Sequence, residues 1–172
     1  MNDASKATLR TGGARPVVRF ERILPQPPEA VWQAITDREE LKAWFPSDII
    51  TDAWTVGATL SFPFRNGEGP TLTGEVLEAE EPRVLAYTWG DETLRFELTP
   101  EPSGGTRLVF TDELDREIAA RNAAGWEVCL ELLAGHTPAG DAWKPLFDRY
   151  VATFEPTLGP QEGPPAGYEG NA

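Results

Sequence analysis

The segment ETLRFELTP, residues 92–100, alternates apolar and polar side chains: Leu94, Phe96 and Leu98 fall on one face, Arg95, Glu97 and Thr99 on the other. Successive strand residues point to opposite sides of a sheet, so this spacing predicts a strand with one buried and one wet face. VGATLSFPF, TLTGEVLEAE, VLAYTWG and TRLVFTDEL read the same way. Asn66-Gly67, Glu81-Pro82, Gly90-Asp91 and Ser103-Gly104-Gly105 separate these runs and are good turn material. A meander of this kind is antiparallel, and its apolar face needs a cover.

Helical periodicity supplies the cover. Before the meander, Val17–Leu24 predicts one more strand, ended by Pro25. PPEAVWQAITD then changes to a helical period, with Val31 and Ile35 on one stripe and Pro28 tolerated in the first turn. Asp37 can cap a second short helix, REELKAWF, which Pro46 stops. After the meander, Trp126, Leu130 and Leu133 share a helical face, Glu127 and Glu131 are expected on its solvent side, and Gly135 is a suitable terminator. A further helix is expected to carry Trp143, Leu146, Phe147, Tyr150, Val151 and Phe154, with Pro145 in its first turn or kinking it. The expected fold is α+β: a curved antiparallel sheet packed around a C-terminal helix. Its expected limits are a flexible arm over 1–15, a single domain over 16–158 and a Gly/Pro-rich tail over 159–172.

These runs resemble the START-like superfamily, also called SRPBCC, and within it the bacterial homologues of the activator of the heat-shock-protein-90 ATPase. The resemblance lies in residues 27–46, 56–64, 72–90, 94–111 and 125–135, in the family's order. It implies a helix-grip fold, in which a long C-terminal helix crosses a bent sheet and often leaves an apolar cavity. It also implies a noncatalytic binder of a small hydrophobic or aromatic molecule. Two alternatives stand beside that reading: a chaperone or stress-response cofactor binding a protein partner, and a cavity enzyme of cyclase or hydrolase type. The matching residues, among them Pro27-Pro28, Val31-Trp32, Gly57, Phe62 and Gly125-Trp126, are fold residues and carry no catalytic signature. The stretch after Gly135 departs from the compact family ending.

Charge and composition narrow the partners. The 172 residues carry 15 Lys and Arg against 28 Asp and Glu, a net charge of -13. That balance disfavours nucleic acid and anionic membrane surfaces, both of which attract basic patches, and suits steering of a basic partner. No run approaches the roughly 20 apolar residues of a membrane span, and the first residues lack the apolar centre of a secretory signal, so a soluble cytoplasmic protein is expected, as a monomer or homodimer. No cofactor is expected. One cysteine, Cys129, and one histidine, His136, leave no metal-spaced cluster.

The candidate chemistry is correspondingly sparse. Cys129 reads as a packed small hydrophobe, being about two turns, ~10 Å, from His136 on a continuous helix. His136 reads as a surface or capping residue. Asp112, Glu113 and Asp115, like Glu78, Glu80 and Glu81, read as solvated strand ends, although paired acids could do acid/base work if buried together. Gly67 and Gly69 lack a phosphate-loop continuation, and no serine sits in a nucleophile elbow. The informative set is aromatic. The candidate cavity residues are Trp44, Phe45, Phe62, Tyr87, Trp89, Phe96, Phe110, Trp126 and Leu130, with Arg95, Thr111 and His136 as candidate polar anchors.

Overall fold

The computed structural model describes residues 6–64 and 69–164. Seven antiparallel strands form one sheet: β1 (Thr8–Arg10), β2 (Val17–Leu24), β3 (Thr59–Phe62), β4 (Leu72–Glu80), β5 (Val84–Trp89), β6 (Glu92–Pro100) and β7 (Thr106–Glu113). Their order across the sheet is β1-β2-β7-β6-β5-β4-β3. Strands β3 to β7 therefore form the expected meander, and β2 closes onto its last strand, pairing Val17 with Glu113 and Leu24 with Thr106. The expected Asn66-Gly67 turn lies outside the described residues. At the N-terminus the structure differs from the expected arm, because Thr8–Arg10 adds an edge strand to β2.

Two helices sit between β2 and β3: α1 (Pro28–Thr36) and α2 (Arg38–Leu41). Asp37 ends the first and caps the second, its side chain accepting hydrogen bonds from the Glu39 and Glu40 amides at 2.9 and 3.0 Å. Such a cap satisfies amides that the first turn of a helix leaves open. Of the helix expected over 38–45, only Arg38–Leu41 is helical; 42–44 continue as turns.

The long helix α3 (Ala119–Leu133) lies against the sheet and is followed by α4 (Trp143–Leu158). Along α3, Ala119, Ala123, Trp126 and Leu130 are buried at three- and four-residue intervals. Gly135 ends it at φ +86°, its amide bonded to the Leu132 carbonyl, as the sequence leads one to expect. Glu127, however, is buried and does not face solvent. Helix α4 covers that side of α3, so Tyr150 donates to Glu127 Oε1 and the Arg149 guanidinium lies 3.4 Å from Oε2. The Ala7 amide in turn donates to the Tyr150 hydroxyl at 2.8 Å. The residues after Gly135, which depart from the resemblance, thus form a third layer outside the gripping helix.

The core lies between sheet and α3. Inward-facing Val18, Phe20, Leu85, Tyr87, Leu94, Phe96, Leu98, Leu108 and Phe110 are all buried, and Val31, Ile35, Leu41 and Phe45 close one end.

Candidate functional site

Strand alternation delivers Tyr87 and Trp89 from β5, Phe96 from β6 and Phe110 from β7 to the same side of the sheet. The stretch after α2 adds Trp44 and Phe45, β3 adds Phe62, and α3 lays Trp126 across the top. Six rings make a closed circuit. The centroid separations are Phe45–Phe62 6.4 Å, Phe62–Tyr87 6.0 Å, Tyr87–Phe96 6.1 Å, Phe96–Phe110 4.9 Å, Phe110–Trp126 4.9 Å and Trp126–Phe45 5.6 Å. Trp89 joins at Phe45 and Trp126, and Trp44 at Phe45 and Phe96. These separations are those of rings in direct tilted or stacked contact. All nine candidate cavity residues are therefore in or beside one aromatic interior, Leu130 being buried on α3.

The three candidate polar anchors are elsewhere. Arg95 and Thr111 pair across β6 and β7 in a register that turns them to the outer face. There Arg95 forms ion pairs with Glu78 and Glu97. His136 is exposed beyond the end of α3, its Nδ1 2.8 Å from Glu131 Oε2.

Two tryptophans border this interior. The Trp44 indole N–H donates to the Ala34 carbonyl at 2.9 Å, and the Trp54 indole N–H to the Thr36 carbonyl at 2.9 Å, so both are pinned to the end of α1. Outside Trp44 lies a groove of about 240 Å³ between α1, α2 and the end of α3, lined chiefly by Leu24, Ala30, Val31, Ala34, Leu132 and Leu133. Outside Trp54 lies a wider depression of about 580 Å³, bordered by Glu29, Gln33 and Glu81. Trp54 itself packs 5.5 Å from Tyr87.

The polar groups facing inward are not the predicted ones. Asp112 is fully buried. Its Oδ2 accepts the Trp126 indole N–H at 2.8 Å, whereas Asn122, one helical turn earlier, donates to Glu92 Oε1 at 2.7 Å. Leu94 lies directly opposite Asp112 across β6 and β7, so Glu92, two residues earlier on β6, faces inward diagonally beside it. Burial raises the pKa of Asp112 well above the usual carboxylate range, and the neighbouring Glu92 carboxyl adds to this. Burial also raises Glu92, against the opposing pull of the neighbouring Asp112 and Asn122 side chains and of the Arg121 and Arg15 charges. Three buried polar atoms here have no hydrogen-bond partner among the described residues: the Tyr87 hydroxyl, Trp89 Nε1 and Asp112 Oδ1. Burial of the Tyr87 hydroxyl raises its pKa far above the ordinary tyrosine value, so it stays protonated.

The expectation that Asp112 is a solvated strand end is thus overturned, by a signal already present in the sequence. Leu108, Phe110, Asp112 and Leu114 alternate, and so do Glu92, Leu94, Phe96 and Leu98. The acids belong to the inward set. Among the described residues no group of three or more His, Cys, Asp or Glu could hold a metal ion, and no helix is long and apolar enough to cross a membrane.

Comparison with known proteins places this geometry. Among solved structures, a conserved protein of unknown function from Enterococcus faecalis, EF2215, superposes with a TM-score of 0.72 at 23% identity, over 88% of this chain and 91% of that one. CalU16 from Micromonospora echinospora matches at 0.66 and 19% identity, over 89% and 94%. An AHSA1-like protein from Aeromonas hydrophila matches at 0.57 and 23%, over 80% and 92%. At these identities the likeness is one of fold, and it is the helix-grip fold. No functionally curated protein matches the chain. The family described as "Activator of Hsp90 ATPase homolog 1-like protein" matches residues 25–137, about two thirds of the chain. The chain is therefore a member of the Activator of Hsp90 ATPase homolog 1-like family, within the START-like superfamily.

Proposed function

We propose that this protein binds a small apolar or aromatic molecule between its sheet and α3, reached through the groove outside Trp44. The observation that carries the reading is the Tyr87 hydroxyl, fully buried among aromatic rings without a hydrogen-bond partner among the described residues. An unsatisfied buried donor costs about 1–3 kcal/mol, and a ligand acceptor would recover it. Trp44 supports the route, since its indole both lines the groove and meets Phe45 and Phe96. The rings are in contact, so admission requires Trp44 or α3 to move and the rings to part around the ligand. The site would hold the molecule by aromatic stacking and one or two polar contacts, without a catalytic step.

The test is titration with the neutral fluorophore N-phenyl-1-naphthylamine, together with native mass spectrometry of protein purified from its own host. Saturable one-to-one uptake is expected, weakened about tenfold or more by Ala34→Phe, which fills the groove. The absence of both saturable uptake and any retained mass would overturn the reading.

A further inference from the structure

Four side chains from three elements meet at one end of the aromatic interior. Glu92 on β6 and Asp112 on β7 face inward, and Asn122 and Trp126 reach down to them from one face of α3, four residues apart. Each acid therefore holds one contact to the helix. Two carboxyl groups can bond to each other only while one of them carries a proton, because an ionised carboxylate is acceptor-only. That proton also supplies what Asp112 Oδ1 otherwise lacks, since this oxygen is buried and meets no donor among the described residues.

The surroundings accept one negative charge but not two. Arg121 on α3 and Arg15 from the segment between β1 and β2 both favour an ionised Glu92. Both are already engaged: Arg121 lies 3.4 Å from Glu162, and Arg15 is 3.2 Å from Asp115 Oδ1 and donates to the Asp91 carbonyl at 2.7 Å. Three further residues flanking this cluster bring no charge. Trp89 comes from β5, Val18 lies opposite Asp112 on β2, and Phe45 packs on Trp126.

We propose that the Glu92–Asp112 pair is a proton-held latch on α3: while the pair keeps one proton it clamps the helix to the sheet, and release of that proton to water loosens the clamp. Trp126 is the lever. It bonds Asp112 and also packs on Phe45, Trp89 and Phe110, so a change at the acids reaches the aromatic interior directly. The latch stands on these contacts alone; its consequence, that loosening admits a ligand, rests on the binding reading above.

The sign follows from burial. The pair's pKa is raised in the closed state, so opening releases a proton wherever the pH lies between the ordinary carboxylate value and the raised one. Clamping is complete below that window and is lost as pH rises through it.

The decisive measurement is amide hydrogen exchange along α3 of the full-length protein, corrected for intrinsic rate, across a pH series. The opening equilibrium of wild-type α3 is expected to rise up to about tenfold per pH unit within the window and then level off. Asp112→Asn and Glu92→Gln should each remove the slope, with β4 and β5 unchanged as internal reference. A flat wild-type profile, or a slope surviving in both variants, overturns the latch. Infrared spectroscopy guards against a variant that fails to fold: wild type at a pH where α3 is clamped should show a protonated-carboxyl band that Asp112→Asn removes, and its absence from wild type also overturns the proposal. N-phenyl-1-naphthylamine uptake, followed over the same series, should quicken with pH. A full exchange slope with neither dye uptake nor a retained mass would leave the latch standing and remove the binding reading.

Discussion

Trp126 joins the aromatic interior to the buried acids, combining three ring contacts with one hydrogen bond. Trp126→Phe keeps an aromatic ring there but leaves Asp112 Oδ2 without its donor. A buried polar group so orphaned costs roughly 1–3 kcal/mol, which a urea titration would show as a lower midpoint at unchanged slope. Its role as a core residue is legible from helical spacing; its hydrogen bond is not, because an acid at the end of a strand reads as solvated. Acidic residues are rarely inside, and that general expectation overrode the alternation of β7. Arg95 and Thr111 show the complementary case. Each follows an inward position by one residue, and a shift of one turns a strand side chain to the opposite face.

At the scale of elements, the strands and α1 lie close to where periodicity puts them, since each has one wet and one dry face. The exceptions have a common cause in tertiary contact. Strand β1 is three residues with little pattern of its own, formed by pairing along β2. Helix α3 shows Glu127 to the sequence as a solvent residue, because nothing local announces that α4 returns over it. Glu127→Leu should therefore destabilise, not stabilise, the chain: it strips the acceptor from the buried Tyr150 hydroxyl, at about 1–3 kcal/mol, and leaves the part-exposed Arg149 to water. Thermal unfolding should show the loss, and Glu127→Gln, which keeps an acceptor for the hydroxyl, should restore part of it. Strand β4 offers a second test. A Cβ on Gly74 would run into the Thr88 carbonyl oxygen of β5. Gly74→Ala must push these strands apart next to the register shift between Val76 and Glu78, at a cost of roughly 1–3 kcal/mol in chemical denaturation.

For the whole molecule, the excess of 13 negative charges opposes compaction, and the ion pairs on the outer sheet face are exposed ones of small individual worth. Screening should relieve more repulsion than it removes attraction. Raising ionic strength from about 0.02 to 0.5 M is thus expected to raise the urea midpoint. A midpoint that falls would show that the surface pairs outweigh the net repulsion.

The order of the strands also governs the order in which the fold can be made. Strand β2 has no neighbour in the meander until β7 exists, and the Ala7 amide finds its partner in Tyr150, 143 positions away. On the ribosome, β3 to β7 can zip hairpin by hairpin as they emerge, whereas β2, made before them, must wait for its neighbour in the meander. Completion is then a late docking event, and a chaperone that shields β2 during synthesis would protect this protein more than one that acts after release.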